Sequence, residues 1–309
     1  MRHDRTLQRP STATRRLCAG LHPAVPAPES LTIARLIEGD EGEALGFLSR
    51  RPLRNVIMSG LIRDNGLESS FNRGHFYGCR DARGRLVGVA LVGHVTLFEA
   101  PRLDALLALA RSAPATLQLK TIIGEAGSVR LFCEHRADLT PDRLRSKHEQ
   151  LLALCQPPAD AEPVNGLRVA TLAHLELVMS ANAEMAEGTC GVNPLRADPV
   201  GFRVRTARRI EQGRVWVWCE GGRLVFKVDV ASETPEAIYL EGLYVDPRER
   251  GKGHAQKCLS HLSCLLLRRA PVVCLMVEEG NATAQALYRR LGFKLHCTYE
   301  RVTLAPSIN

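Results

Sequence analysis

The stretch Glu241–Ala255, which reads EGLYVDPRERGKGHA, is the most informative part of this sequence of 309 residues. Its apolar beginning has the pattern of a β-strand and leads straight into a glycine-rich turn. Apolar side chains then recur at helical spacing over His254–Arg269, so the turn is predicted to open a helix. Glycines let a backbone approach a ligand closely, and the free N–H groups of a helix N-terminus attract anions. The stretch therefore predicts an anion-binding turn, to which Arg250 and Lys252 add positive charge.

The glycine spacing of this turn excludes the two most familiar phosphate-binding loops. Neither the Walker A pattern nor the dinucleotide pattern GxGxxG fits Gly251-Lys-Gly253. A second motif, Asn281–Phe293, follows and reads NATAQALYRRLGF. One predicted helix and one predicted strand, Val272–Val277, separate the two motifs, so we interpret them together.

The two motifs resemble the signatures of the GNAT superfamily of N-acetyltransferases. Arg250-x-x-Gly253-x-Ala255 is similar to the family's Q/R-x-x-G-x-G/A loop. Asn281–Phe293 is similar to its N-x-x-A-x-x-x-Y-x-x-x-G-F segment. The resemblance covers about Leu167–Leu304 and implies that acetyl-CoA is the co-substrate. More loosely, the N-terminal half resembles the divergent first half of some bacterial tandem acetyltransferase-like proteins.

The resemblance also implies which residues hold the cofactor. The strand before the loop would diverge from its neighbour, its backbone would pair with pantetheine, and the loop would hold the pyrophosphate. The residues implied are Leu243, Tyr244, Val245, Arg250, Gly251, Lys252, Gly253, His254, Ala255, Asn281 and Ala284. Asn281, Ala284 and Tyr288 are spaced to share one helical face. No metal site is expected.

Two residues are the implied catalysts. Tyr288 would point its hydroxyl at the departing thiolate and act as a general acid. Glu241 is the best candidate for the base, since it lies two residues before Leu243 and strand alternation would put both on one face. A carboxylate near a cleft can have a raised pKa. The alternatives are that Tyr288 only packs, that Glu241 pairs with a basic neighbour, that a water chain accepts the proton, or that Glu184 or Glu187 is the base.

The two halves of the chain repeat one order of predicted elements. Hairpins are predicted at His75–Val92 and Val215–Val230, each with a glycine turn followed by alternating apolar residues. The tetrapeptide Gly-Arg-Leu-Val occurs at both turns, at 84–87 and 222–225, so the copies are 138 residues apart (222 minus 84). We predict a tandem of two GNAT-like α/β folds, each with a mostly antiparallel mixed sheet flanked by helices. An unrelated N-terminal domain is the alternative.

Three regions are expected from this pattern. Residues 1–30 are rich in arginine and proline and read as a disordered basic tail. Residues 31–158 read as a divergent, non-catalytic GNAT-like domain, because no Arg-rich glycine loop follows its strand Leu86–Val92 and the turn Gly124–Gly127 lacks the Asn/Tyr signature. Residues 165–309 read as the N-acetyltransferase domain. A linker at Pro157 and Pro158 joins the two.

Composition narrows the class of protein. The formal net charge is +8, and the excess suits an enzyme with an anionic cofactor without requiring nucleic acid. No apolar run approaches the roughly 20 residues that span a bilayer. The 10 cysteines are scattered without a CxxC pair, which favours reduced thiols and a cytoplasmic protein.

The function we expect is transfer of an acetyl group from acetyl-CoA to an amine, either a small molecule or a peptide or protein amine. The alternative is a non-catalytic module that senses CoA or acyl-CoA. Nucleic-acid binding through the basic tail is a weaker third interpretation. We expect a monomer or homodimer without membrane contact, and the sequence does not identify the acceptor.

Overall fold

Two hairpins with the same tetrapeptide occupy corresponding places in the halves of the chain. In the computed structural model, Gly84 and Gly222 each have a positive φ, +77° and +76°, at the hairpin turn. Glycine adopts this left-handed backbone without steric cost, which explains its place in both turns. The strands on either side of each turn pair antiparallel, so both predicted hairpins are confirmed.

The structure describes residues 30–112, 119–159 and 161–304. The predicted tail lies outside the described residues except for Ser30, as do the first two residues of the predicted strand Leu117–Ile123. The chain from Leu31 onward forms one compact unit. Within the described ranges, no helix has both the length and the apolar character needed to cross a membrane.

The chain alternates strands and helices in an order that occurs twice. The strands are β1 (Thr32–Arg35), β2 (Gly74–Arg80), β3 (Leu86–Gly93), β4 (Val95–Glu99), β5 (Thr121–Glu125), β6 (Leu144–Leu154), β7 (Arg168–Val169), β8 (Val215–Glu220), β9 (Arg223–Glu233), β10 (Ile238–Val245), β11 (Val273–Glu278) and β12 (Lys294–Leu304). The helices are α1 (Glu41–Leu48), α2 (Val56–Asn65), α3 (Leu103–Ser112), α4 (Ser128–Glu134), α5 (Leu175–Cys190), α6 (Pro194–Ala197), α7 (Pro199–Glu211), α8 (His254–Leu266) and α9 (Ala282–Arg290).

The repeat is visible in how these elements correspond. Elements β1 to β6 with α1 to α4 match β7 to β12 with α5 and α7 to α9, in the same order. In each half one pair of neighbouring strands is parallel, β4 with β5 and β10 with β11, and every other pairing in the described residues is antiparallel. The predicted mixed, mostly antiparallel sheet is therefore confirmed.

The expectation of a separate sheet in each half needs correction. All twelve strands form one sheet, in the order β1-β2-β3-β4-β5-β12-β6-β11-β10-β9-β8-β7. The last strand of each half is exchanged: β12 pairs with β5 and β6, while β6 pairs with β11 and β12. The physical reason is that each half would otherwise leave an unpaired strand edge, and the exchange pairs both edges.

Side chains from both halves share the cores on the two faces of this sheet. Leu151 of β6 packs in the core cluster that contains Phe76 and Tyr239, while Leu152 packs in the cluster of α8 and α9. A largely buried ion pair between Asp64 of α2 and Arg214, just before β8, adds a polar contact between the halves. The halves are thus two repeats within one compact unit.

We expect neither repeat to fold as a stable monomer by itself. Expressed alone, residues 161–309 lose both partner strands of β12 and one partner of β11. Size-exclusion chromatography with light scattering and circular dichroism should show an aggregated or poorly folded chain, which co-expression with residues 30–159 rescues as a one-to-one complex. A monomeric 161–309 fragment that unfolds cooperatively would contradict this.

Candidate active site

Strand β10 leaves its parallel neighbour after a short pairing. Ile238–Leu240 pair with Val273–Leu275 of β11, and beyond that point β9 is the only described strand that pairs with β10. β11 continues to pair with β6 through Glu278. The two strands therefore diverge over Glu241–Val245, as the family resemblance implied, and the backbone of β10 on this side has no strand partner in the part of the chain that the structure describes.

A β-bulge lies where the divergence begins. Glu241 is opposite Asp229 and Tyr244 is opposite Lys227, so β10 has one extra residue here, and Gly242 has a φ of +64°. A bulge reverses the alternation of side chains along a strand. Leu243 packs in the α8–α9 core, as Leu240 does, whereas Tyr244 packs with α5.

The sequence-based placement of Glu241 beside Leu243 is therefore wrong. The bulge separates the two residues, and Glu241 lies on the side of α7, where its carboxylate contacts Arg209. A strict period of two predicts faces correctly only in a strand without an extra residue.

The turn after β10 has the features of an anion site. Gly251 and Gly253 both have left-handed backbone, with φ of +79° and +80°. Gly253 is the N-cap of α8, and no side chain caps this end of the helix. The first N–H groups of α8 therefore remain available, and the helix dipole adds partial positive charge.

The charged side chains of the turn have protein partners. Arg250 donates to the carbonyl of Val245 at 3.1 Å. Lys252 lies 2.7 Å from Glu249, and His254 lies 3.5 Å from the same carboxylate. Backbone N–H groups rather than bare cations are thus the free donors of this turn, although Arg250 remains largely exposed.

The second motif forms the start and interior of α9. Asn281 is the N-cap, and its Oδ1 accepts a hydrogen bond from the Ala284 N–H at 3.0 Å. Tyr288, seven residues later in α9, is 7% exposed. Its ring packs against Phe293, with the two ring centroids 5.7 Å apart. Its hydroxyl has no hydrogen-bond partner among the residues that the structure describes. Burial raises the pKa of Tyr288 to about 12, so the hydroxyl keeps its proton at neutral pH.

Glu241 is ionised and paired rather than held in its acid form. Its Oε1 lies 2.7 Å from the guanidinium of Arg209, which also lies 3.4 Å from Asp229. Burial by itself would raise the pKa of Glu241, but Arg209 together with Lys227 and Arg301 outweighs it, and the pKa falls below its ordinary value. The expected raised pKa is therefore wrong. The carboxylate still keeps 44% of its surface exposed.

The two weaker base candidates occupy different surroundings. Glu184 of α5 accepts a hydrogen bond from the Tyr244 hydroxyl at 2.9 Å and lies 3.9 Å from Arg250, so it spans β10 and the turn. Glu187, one turn later, accepts from Asn193 at 3.0 Å. The structure thus places Glu184 at the predicted site and assigns Glu187 a contact with the segment before α6.

Sequence reasoning missed a buried charged pair on β9. Lys227 is fully buried, and its Nζ donates to Asp229 Oδ2 at 2.9 Å and to the side chain of Asn182. The signal was present in the sequence, because Lys227 and Asp229 alternate with apolar residues in the strand VFKVDV and so point to one face.

The N-terminal repeat has the same strand divergence but a filled cleft. β4 pairs with β5 only over Val95–Leu97, and the turn after β4 contains no glycine. Phe98 stacks on Phe132 with centroids 4.9 Å apart, and Glu99 pairs with Arg51 at 3.4 Å. The cavity that remains measures about 40 Å³. In this repeat the turn that corresponds to the glycine-rich turn follows β4, whereas the sequence led us to expect it after Leu86–Val92, which is β3.

Among the described residues, no group of three or more histidine, cysteine, aspartate or glutamate side chains is arranged to hold a metal ion. The site therefore consists of a free strand edge, an uncapped helix N-terminus, a protonated tyrosine and paired carboxylates.

Comparisons with known proteins agree with this geometry. Residues 211–295 match the family described as acetyltransferase (GNAT) domain. The sequence matches none of the curated proteins. Residues 211–295 span β9, β10, the glycine-rich turn and α9, which are the elements that form the site.

Solved structures share the fold over most of the chain at low sequence identity. A tandem GNAT protein from the clavulanic acid biosynthesis pathway is 17% identical with a TM-score of 0.54, over 90% of this chain and all of that one. A GCN5-related N-acetyltransferase from Sphaerobacter thermophilus is 17% identical with a TM-score of 0.53, over 90% of this chain and 97% of that one. A Drosophila protein is 13% identical with a TM-score of 0.62, over 89% and 98%. Residues 211–295, within the second repeat of this chain, thus match the GNAT acetyltransferase domain, and the chain as a whole shares its fold with a tandem GNAT protein.

Proposed function

We propose that the protein is an N-acetyltransferase that moves an acetyl group from acetyl-CoA to an amine. The observation that carries this proposal is the free edge of β10, followed after the turn of residues 246–253 by the N-terminus of α8, which no described side chain caps. An extended arm with amide groups can pair with the strand edge, and a pyrophosphate can sit on the helix N-terminus. Pantetheine joined to a pyrophosphate has this sequence of groups.

The proposed cofactor contacts follow from these positions. The backbone of Leu243–Val245 would pair with the pantetheine amides. The N–H groups of Arg250–Ala255 would receive the pyrophosphate. Asn281 has its Oδ1 committed to the helix cap, which leaves its NH2 group to donate to the arm.

The faces of the sheet suggest how the residues divide the chemistry. Tyr288 approaches from the α8–α9 side and Glu241 from the α7 side, with the diverging strands between them. Acetyl-CoA supplies a thioester to the attacking amine. Tyr288, which is protonated at neutral pH, donates its proton to the departing sulfur. Glu241 accepts a proton from the incoming ammonium, directly or through water.

A sensor that binds CoA or acyl-CoA without turnover is the second candidate. The observation that favours it is the ion pair of Glu241 with Arg209, which makes this carboxylate a weaker base. The N-terminal repeat is proposed to be non-catalytic in both cases, since Phe98 and Phe132 fill its cleft.

Calorimetry followed by a thiol-release assay separates the two candidates. We expect the full chain to bind acetyl-CoA with a one-to-one stoichiometry and to release CoA thiol when a suitable amine from a panel of small amines and peptides is added. Binding without turnover on every amine would favour the sensor. Absence of binding would contradict both.

Gly253→Ala should weaken acetyl-CoA binding, because a side chain at φ +80° is strained and shifts the N–H groups at the start of α8. Gly127→Ala is the matched control, since Gly127 is the N-cap of α4 in the other repeat with φ +89° and equally open surroundings. Both variants should lose about 1 kcal/mol of unfolding free energy. Calorimetry should show weaker binding for Gly253→Ala alone, and equal binding by the two variants would contradict the site.

Tyr288→Phe should lower kcat by about 10²-fold or more while acetyl-CoA still binds, because a general acid contributes in that range. Tyr299→Phe is the control, since the Tyr299 hydroxyl is also buried but donates to the Arg54 carbonyl, away from β10. Steady-state kinetics with calorimetry distinguishes the two. Unchanged turnover by Tyr288→Phe across the pH range would remove the acid assignment.

A further inference from the structure

The buried pair Lys227–Asp229 lies against the bulge of β10. Lys227 and Asp229 are opposite Tyr244 and Glu241, the two residues that flank the bulge. A Cβ on Gly242 would lie 3.0 Å from Lys227 Nζ and 3.2 Å from Asp229 Oδ2. The charged pair thus packs directly on the left-handed backbone at which the divergence begins.

The same pair connects the bulge to two helices on its face of the sheet, α5 and α7. Lys227 donates a hydrogen bond to Asn182 of α5, and Asp229 accepts one from Arg209 of α7. Arg209 in turn reaches Glu241 across the bulge. Because β9 and β10 are neighbours, this network joins α5 and α7 to the part of β10 where the divergence begins.

Burial makes this pair costly unless its geometry is kept. Lys227 has no exposed surface, and Asp229 Oδ1 has no hydrogen-bond partner among the described residues. Asp229 therefore contacts both of its cationic partners, Lys227 and Arg209, through Oδ2. Buried ion pairs are weak sources of stability, and they are sometimes retained for specificity of structure.

We propose that Lys227 and Asp229 are positioning residues that hold the β10 bulge at Gly242, and so set both the free backbone of Leu243–Val245 and the carboxylate of Glu241. This inference rests on the proposed acetyl-CoA site. Lys227 acts through the backbone of β10 and through Asp229 and Arg209, without touching substrate.

The charged groups that face Glu241 influence its pKa, and this pKa gives a measurement that a purely packing role of Lys227 would leave unchanged. They come from Arg209 of α7, Lys227 and Asp229 of β9, and Arg301 of β12, with the Tyr239 phenol nearby on β10. The ammonium of Lys227 helps to lower the pKa of Glu241. Its removal raises that pKa, so ionised Glu241 is lost at a higher pH and the acid limb of kcat/KM moves to higher pH.

The test compares Lys227→Met and Lys227→Met with Asp229→Asn in the full chain. The double variant avoids an uncompensated carboxylate and keeps the test valid if the single variant fails to fold. We expect the Kd for acetyl-CoA to rise about three- to tenfold, because a change of this size corresponds to the loss of about one backbone hydrogen bond. We also expect faster amide hydrogen exchange in residues 241–246 and, in the single variant, the shifted acid limb.

The control is Arg214→Met with Asp64→Asn, which removes a largely buried ion pair that has no contact with β10. It should leave the acetyl-CoA Kd and the exchange of residues 241–246 unchanged. Folded Lys227 variants with the Kd, exchange and pH limb of the native chain would overturn the inference. If the native chain itself binds no acetyl-CoA, the proposed function fails instead, and exchange at residues 241–246 still reports on the bulge.

Discussion

The exchange of the last strands, β6 and β12, is the constraint on which the rest of the structure depends. β6 lies between β12 and β11, so within the described sheet β11 and β12 of the second repeat are joined through a strand from the other half of the chain. Leu151 and Leu152 of this strand enter cores on opposite faces. The acetyl-CoA site that we propose in the second repeat therefore depends on a strand from the repeat that we propose to be non-catalytic.

This arrangement explains how β10 can leave β11 without unravelling the sheet. β11 keeps its pairing with β6 through Glu278, while β10 is held by β9 on its other side. The divergence therefore lies between two strands, β10 and β11, that each keep a hydrogen-bonded partner on their other side. In the first repeat β4 and β5 diverge in the same way, and there Phe98 and Phe132 stack on each other beside the divergence.

Local patterns made much of the fold predictable from the sequence. The hairpins followed from glycine turns and alternation, and β10 and α8 followed from apolar spacing around the glycine-rich turn. β6 was missed because its first half, LRSKHE, is polar and exposed, and its partners lie more than a hundred residues away. β4 was missed because a single residue, His94, separates it from β3.

The site was predictable as a set of motifs and less so as a geometry. The residues of the glycine-rich turn, Asn281 and Tyr288 lie at the start of α8 and along α9. Their roles toward a ligand remain proposals. The face of Glu241 depended on a bulge at Gly242, which a period-two pattern does not register, and its pKa depended on Arg209 from a different helix. Charges brought together by tertiary structure lie outside the reach of local sequence.

A crystal structure of the full chain with acetyl-CoA tests the central claim most directly. The account predicts one bound molecule, with pantetheine along the backbone of Leu243–Val245, the pyrophosphate on the N-terminus of α8 and the thioester sulfur near the Tyr288 hydroxyl. It also predicts an unchanged, side-chain-filled cleft between β4 and β5. Cofactor bound in the first repeat, or bound in the second with its pyrophosphate away from Arg250–Ala255, would contradict the account.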